Sequence, residues 1–129
     1  MVAVDTNVVV RLLTDDEPAQ AARARAMFER EEVLLAKTVL LESEWVLRRL
    51  YRFGSGRIAD AFVNLIALPD VVCEDALAVA DALQWMRGGM DFADALHLAS
   101  ARPAGRFATF DDKLVKRAAK IADIAVVGL

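Results

Sequence analysis

Val2-Ala3-Val4-Asp5-Thr6-Asn7-Val8-Val9-Val10-Arg11-Leu12-Leu13 opens the chain, and its reading decides the fold. A short apolar run stops at an acid, and a longer apolar-rich stretch follows. This predicts a first strand over 2–4 and a short helix over 6–13. The alternation recurs along the sequence. Asp16-Glu17-Pro18 opens a second helix, with proline in its tolerated first turn. A second strand is expected over 33–36, and Thr38 is expected to cap a helix running to about Arg52. Gly54-Ser55-Gly56 interrupts the chain before a helix that ends near Pro69. A third strand covers 71–73, and a helix over 76–87 stops at Gly88-Gly89. A short helix over 91–101 follows, then a turn at Pro103-Ala104-Gly105, a fourth strand over 106–110, a basic helix over 113–120 and a fifth strand over 124–127. Short strands alternating with helices predict one α/β domain, residues 1–129, built on a parallel sheet.

In open sheets of this kind, ligands collect beyond the carboxyl ends of the strands, where strand order reverses. Asp5 and Asp111 each stand just past such an end, and they face one crevice if the first and fourth strands are neighbours. Three further acids sit where folding does not ask for them. Glu42 lies at the edge of an apolar face formed by Val39, Val46, Leu50 and Phe53. Asp91 and Asp94 begin a helix that carries no other formal charge from Ala95 to Ala101. Ordinary explanations exist for each. Asp5 and Asp91 are suited to capping, and Asp94 to a helix dipole. Asp112 is suited to cap the basic helix, which leaves Asp111 as the acid with a chemical role. Glu44 has Arg48 four residues on and is read as a solvated surface pair, which leaves Glu42 as the functional acid. Taken together, gathered carboxylates repel unless a cation sits among them. With one His and one Cys in the chain, oxygen ligation indicates Mg²⁺ or Mn²⁺ rather than zinc.

Composition narrows the setting. Apolar residues make up 57% of 129 positions and mean hydropathy is +0.33, high enough to expect a partner interface. No apolar run approaches the roughly 18–20 residues needed to cross a bilayer. The N-terminus lacks a secretory pattern, and the single Cys73 fits a reducing cytoplasm. Net charge is −3, yet with the five acids set aside the remaining Asp and Glu are outnumbered by the 16 Lys and Arg. Arg48, Arg49 and Arg52, and Lys113, Lys116 and Arg117, are then candidate phosphate contacts flanking an acidic pocket. Leu41 and Trp45, four residues apart on an otherwise basic helix side, are candidates for a partner surface. Trp85 and Met86 are read as core, and His97 as core or as support behind the acids.

The segments Val4–Leu13, Leu41-Glu42-Ser43-Glu44-Trp45-Val46-Leu47, Phe92-Ala93-Asp94-Ala95-Leu96-His97-Leu98-Ala99 and Thr109-Phe110-Asp111 resemble, in this order, the motifs of PIN-domain proteins. The similarity is to VapC-type toxin ribonucleases in particular. It implies a PIN-like three-layer α/β/α sandwich with a five-stranded parallel sheet of order 3-2-1-4-5. It implies catalytic, metal-holding acids at Asp5, Glu42, Asp94 and Asp111, with Asp91 matching an extra acid of many relatives. Thr6 and Thr109 correspond to hydroxyls that support the acids. The implied activity is Mg²⁺-dependent endoribonuclease cleavage leaving a 3′-hydroxyl and a 5′-phosphate. The implied partners are RNA, a second copy of the chain and a VapB-type antitoxin. Two other readings stand beside it: a PIN nuclease of RNA processing without an antitoxin, and a non-catalytic PIN-like module that binds RNA or protein. A phosphoaspartyl phosphatase is disfavoured because position 7 is Asn7, where a second Asp is expected.

Overall fold

A computed structural model describes residues 1–129 as two compact units, 1–76 and 77–129. In the first unit, β1 (Val2–Ala3), β2 (Val33–Leu35) and β3 (Val71–Cys73) form a parallel sheet in the order β1-β2-β3. Val2 pairs with Val33 and Val33 with Val71, so the three strands share one register. Parallel neighbours need a long return path. Here α1 (Thr6–Leu13) and α2 (Pro18–Arg30) link β1 to β2, and α3 (Lys37–Arg49) and α4 (Ser55–Ile66) link β2 to β3. Helix α1 packs on α2 and α3, while α4 packs on α3 and β3. Val9, Val33, Leu35, Leu40, Leu47, Ile58 and Phe62 are fully buried.

The second unit contains α5 (Ala76–Arg87, whose first residue belongs to the first unit), α6 (Phe92–Ala99), a 3₁₀ turn at Arg102–Ala104, β4 (Arg106–Thr109), α7 (Asp112–Ile121) and β5 (Ala125–Gly128). Strands β4 and β5 pair in parallel from Arg106↔Ala125 to Thr109↔Gly128, with α7 as the crossover packed on both. Helix α5 ends at Arg87, and Gly89 two residues on has a φ of +105°, where side chains are strained. Trp85 and Met86 are buried, as their spacing predicts.

The strand pairing differs from the single five-stranded sheet of the sequence analysis. Hydrogen bonding yields a three-stranded and a two-stranded sheet. The length of β1 supplies a reason. Successive strand residues direct their backbone groups to opposite edges, so a two-residue strand has at most one residue's groups for a second neighbour.

Helix α3 corrects two further expectations. Its N-cap is Ala36, without a side-chain cap bond, so Thr38 lies inside the helix. Its buried stripe is Leu40, Ser43, Glu44 and Leu47, an i, i+3, i+4, i+7 pattern. The apolar face assigned to Val39, Val46, Leu50 and Phe53 is only half-buried or, at Leu50, exposed. The helix stops at Arg49, and Arg52 takes a left-handed φ of 57° beyond it.

Ser43 occupies this stripe fully buried, and its Oγ has no hydrogen-bond partner. A buried hydroxyl left without a partner costs about 1–3 kcal/mol. Ser43→Ala is therefore expected to raise stability by about 1 kcal/mol, read as a higher midpoint in urea unfolding. A lower midpoint would show that the hydroxyl is satisfied.

Candidate functional site

In the first unit, the acid that ends β1 also starts α1. Asp5 is the N-cap, and its Oδ1 accepts the Thr6 N–H at 2.7 Å. Capping fixes the carboxylate at the positive end of a helix. Thr6 is buried, and its hydroxyl donates to Glu42 Oε1 at 2.5 Å, which joins α1 to α3. Asp5, Thr6 and Glu42 line one cavity of about 340 Å³, with Val10, Val46 and Leu50 as apolar wall. Two residues that the sequence reading did not select, Arg11 and Tyr51, line it as well. A signal was present for Arg11: it lies four residues after Asn7, on the α1 face that also lines the cavity.

Glu44 is not the solvated acid of the sequence reading. It is 2% exposed, and Arg48 Nε donates to its Oε2 at 2.8 Å. Glu42, two residues earlier, is exposed. A step of two residues turns a helix by about 200°, so one acid faces the core and the other faces away. Arg48 is consequently engaged by Glu44, whereas Arg49 and Arg52 are exposed. Trp45 is 49% exposed and Leu41 half-buried.

In the second unit, Asp91 caps α6, its Oδ2 accepting the Asp94 N–H at 3.3 Å. Asp94 follows in the first turn. Burial, and next the charges of Asp91 and Asp111, push its carboxyl above the ordinary value, while His97 pulls it down. His97 is exposed, because α6 buries Phe92, Ala95, Leu96, Leu98 and Ala99 instead. This removes the core half of its reading and leaves the alternative of support behind the acids. Asp111, not Asp112, caps α7: its Oδ1 accepts from Lys113 N at 2.9 Å and Leu114 N at 3.1 Å. The first carboxylate after β4 is the one within reach of those two N–H groups. Thr109 Oγ1 accepts the Asp111 N–H at 3.0 Å, so this hydroxyl acts on the backbone rather than on the carboxylate.

Beside these acids runs the basic face of α7. Lys113, Lys116, Arg117 and Lys120 surround a hollow of about 420 Å³ next to Gly88. Arg117 is tethered by donating to the Gly89 carbonyl. A Cβ at position 89 would meet the Arg117 guanidinium, so the glycine both makes the turn and admits the arginine.

The donors are carboxylate oxygens, those of Asp5, Asp91, Asp94 and Asp111 at helix starts and that of Glu42 within α3. Asp94 carries the repulsion that a divalent cation relieves. By donor chemistry the set suits a hard cation such as Mg²⁺ or Mn²⁺. No group of three or more Asp, Glu, His or Cys side chains converges closely enough to hold a metal ion. No helix is long and apolar enough to cross a membrane.

The sequence matches the family described as PIN domain over residues 2–121, a span that includes all four acids and reaches into both units. Among solved structures, the chain is similar to the crystal structure of VapC20 from Mycobacterium tuberculosis, a sarcin-ricin loop cleaving toxin. Sequence identity is 21%, coverage is 88% of this chain and 92% of that one, and the TM-score is 0.43. No curated protein matches the chain.

Proposed function

The chain belongs to the PIN-domain family, and from that membership we propose that it is a divalent-metal-dependent endoribonuclease, the toxin of a VapBC-type toxin–antitoxin pair acting in the cytoplasm. The observation that carries the metal dependence is Asp94, a partly buried acid held among Asp91 and Asp111 at an energetic cost that cation binding offsets. The full reading treats residues 1–129 as one PIN domain.

Asp5 and Glu42 in the first unit, and Asp94 and Asp111 with Asp91 in the second, are the acids that would hold Mg²⁺ or Mn²⁺. The ion, when bound, supplies charge relief on the phosphoryl oxygens and eases deprotonation of the attacking water. The chain's own residues prepare that chemistry. Asp111 commits Oδ1 to two backbone N–H groups and so has Oδ2 for a cation. Thr6 turns the Glu42 carboxylate, which takes the proton of the attacking water in this reading. Water adds to phosphorus, the P–O3′ bond breaks, and the leaving O3′ takes a proton from solvent water, which yields the 3′-hydroxyl and 5′-phosphate ends. Trp45 and Leu41 form the surface assigned to a second copy and to the VapB-type antitoxin.

The test is cleavage of a pool of folded RNAs by the antitoxin-free protein in Mg²⁺ or Mn²⁺, with EDTA as control. Cutting confined to the metal-containing reactions, with 5′-phosphate ends, is expected. Cutting that survives EDTA overturns the mechanism. Absence of cutting by a folded protein that binds RNA favours the non-catalytic module.

Arg49, Arg52, Lys113, Lys116 and Arg117 are assigned to the RNA backbone. A Lys113→Ala, Lys116→Ala double variant is expected to weaken RNA binding about tenfold at low salt, uniformly across sequences. The difference from wild type narrows as salt rises, because phosphate contacts act through counterion release. A loss that depends on sequence and persists at high salt would assign these lysines to base recognition instead.

A further inference from the structure

The cavity that holds Asp5 and Glu42 also contains a restrained cation, Arg11. Its Nε donates to Gln20 Oε1 at 2.7 Å and its Nη1 to the Tyr51 hydroxyl at 2.9 Å. Tyr51 in turn donates to Asp16 Oδ2 at 2.6 Å, and Asp16 Oδ1 accepts from Thr14 at 3.0 Å. The ion-pair partner of the guanidinium, Asp16 Oδ1, stands 3.6 Å from Nη1 and also accepts from Thr14. The arginine therefore makes its two short bonds to neutral oxygens, and its charge is not matched by a forked carboxylate. A guanidinium has five N–H donors, so three are left for another acceptor. The side chain is 28% exposed, which leaves them open to a ligand.

Position strengthens the case. From Thr6 to Arg11 is about 7.5 Å along the α1 axis, and Arg11 lines the same cavity as Asp5 at the start of α1 and Glu42 on α3. Asn7 and Arg11 also line an adjoining hollow of about 260 Å³ with Arg23 and Met27. Arg11 thus stands on the ridge common to both, where an anionic chain passing from one to the other would meet it. A polyanion approaching Asp5 and Glu42 is repelled unless positive charge stands beside them, and Arg11 supplies it in the cavity wall.

We infer that Arg11 binds a phosphate oxygen of the RNA backbone in the Asp5–Glu42 cavity, and that Tyr51 is the residue that positions it. This rests on the nuclease reading above and adds to it a phosphate-binding residue and the side chain that orients it. Tyr51, by accepting from Nη1 while donating to Asp16, holds the guanidinium beside that acid without a direct hydrogen bond to it.

The experiment measures steady-state RNA cleavage in Mg²⁺, and equilibrium binding of a labelled mixed-sequence single-stranded RNA in EDTA across a salt series. Wild type, Arg11→Gln, Arg11→Lys and Tyr51→Phe are compared, each with a thermal melt. Arg11→Gln is expected to raise KM about tenfold, the scale of one charge-assisted contact, with the smaller part of the loss in kcat. The slope of log affinity against log salt should fall by about 0.7, the value for one phosphate contact on a single strand. Arg11→Lys keeps the slope with an intermediate KM, and Tyr51→Phe raises KM about threefold with the slope retained. Unchanged KM and slope in Arg11→Gln overturn the inference. So does a lowered melting temperature with an unchanged slope, which makes Arg11 a staple between α1 and α2. If wild type itself neither binds nor cuts RNA, the nuclease reading fails first and takes this inference with it.

Discussion

Asp94→Asn removes metal-dependent RNA cleavage, by on the order of a thousandfold or more, while the variant folds as well as wild type or better. The first half follows from the proposed role. Losing a metal-holding charge forfeits several kcal/mol of transition-state stabilisation, and each 1.36 kcal/mol is about tenfold in rate. The second half follows from the electrostatics of the second unit. Burial, then Asp91 and Asp111, hold the Asp94 carboxyl above its ordinary value. An acid whose folded value is raised binds its proton more tightly when folded. Its contribution is fully favourable below the ordinary carboxyl range and is lost as pH rises through the folded value. At neutral pH the ionised Asp94 is therefore a net cost that asparagine avoids. In EDTA the variant should melt at or above wild type at pH 7, and the difference should close as pH falls below the carboxyl range. Added Mg²⁺ should raise the wild-type melting temperature and leave the variant nearly unmoved, since only a ligand that favours the folded state stabilises it. An inactive variant that has lost stability at pH 7 would instead make Asp94 a structural residue.

The second large effect separates two acids that stand two residues apart. Glu44→Gln should lower stability by about 1–2 kcal/mol, a fall of roughly 4–8 °C in melting temperature for a chain of this length. Cleavage per folded molecule should stay within a few-fold of wild type. The estimate is kept below the roughly 3–5 kcal/mol of a fully buried broken pair, because Arg48 is 39% exposed and can turn to water. Glu42→Gln should do the reverse. Its carboxylate is exposed and tied to Thr6, so stability changes by less than about 0.5 kcal/mol while cleavage falls on the order of a hundredfold. Melting curves and initial rates on both variants decide the matter, and equal loss of activity in the two would falsify the division of roles.

That pair also shows why some of the site was legible in the sequence and some was not. Asp5 and Asp91 each follow a strand or turn and precede a helix, and each is found capping one, whereas the cap expected of Asp112 is made by Asp111. The cap is a local device, made of one side chain and the next few N–H groups, so one short stretch of sequence contains it. The strand–acid–helix alternation was legible for the same reason, and the helices over 6–13 and 76–87 agree to the residue. Ion pairing of Arg48 with Glu44 was visible as an i, i+4 spacing.

Whether that pair faces water or the core was not visible. Helix α3 carries apolar residues around most of its circumference, at 39, 40, 41, 45, 46, 47 and 50, so the sequence admits more than one buried stripe. Packing of α3 on α1 and α4 selects the stripe through Leu40, Ser43, Glu44 and Leu47. The placement of Arg11 depends on long-range contacts in the same way, since Tyr51 lies 40 residues away in the chain. By itself the sequence determined the order of strands and helices and, at Asp5 and Asp91, the acid that begins the helix, because backbone hydrogen bonding within a few residues decides both. Only the tertiary structure decided which glutamate of α3 is buried and which cation shares the cavity of Asp5 and Glu42, because burial depends on which elements meet.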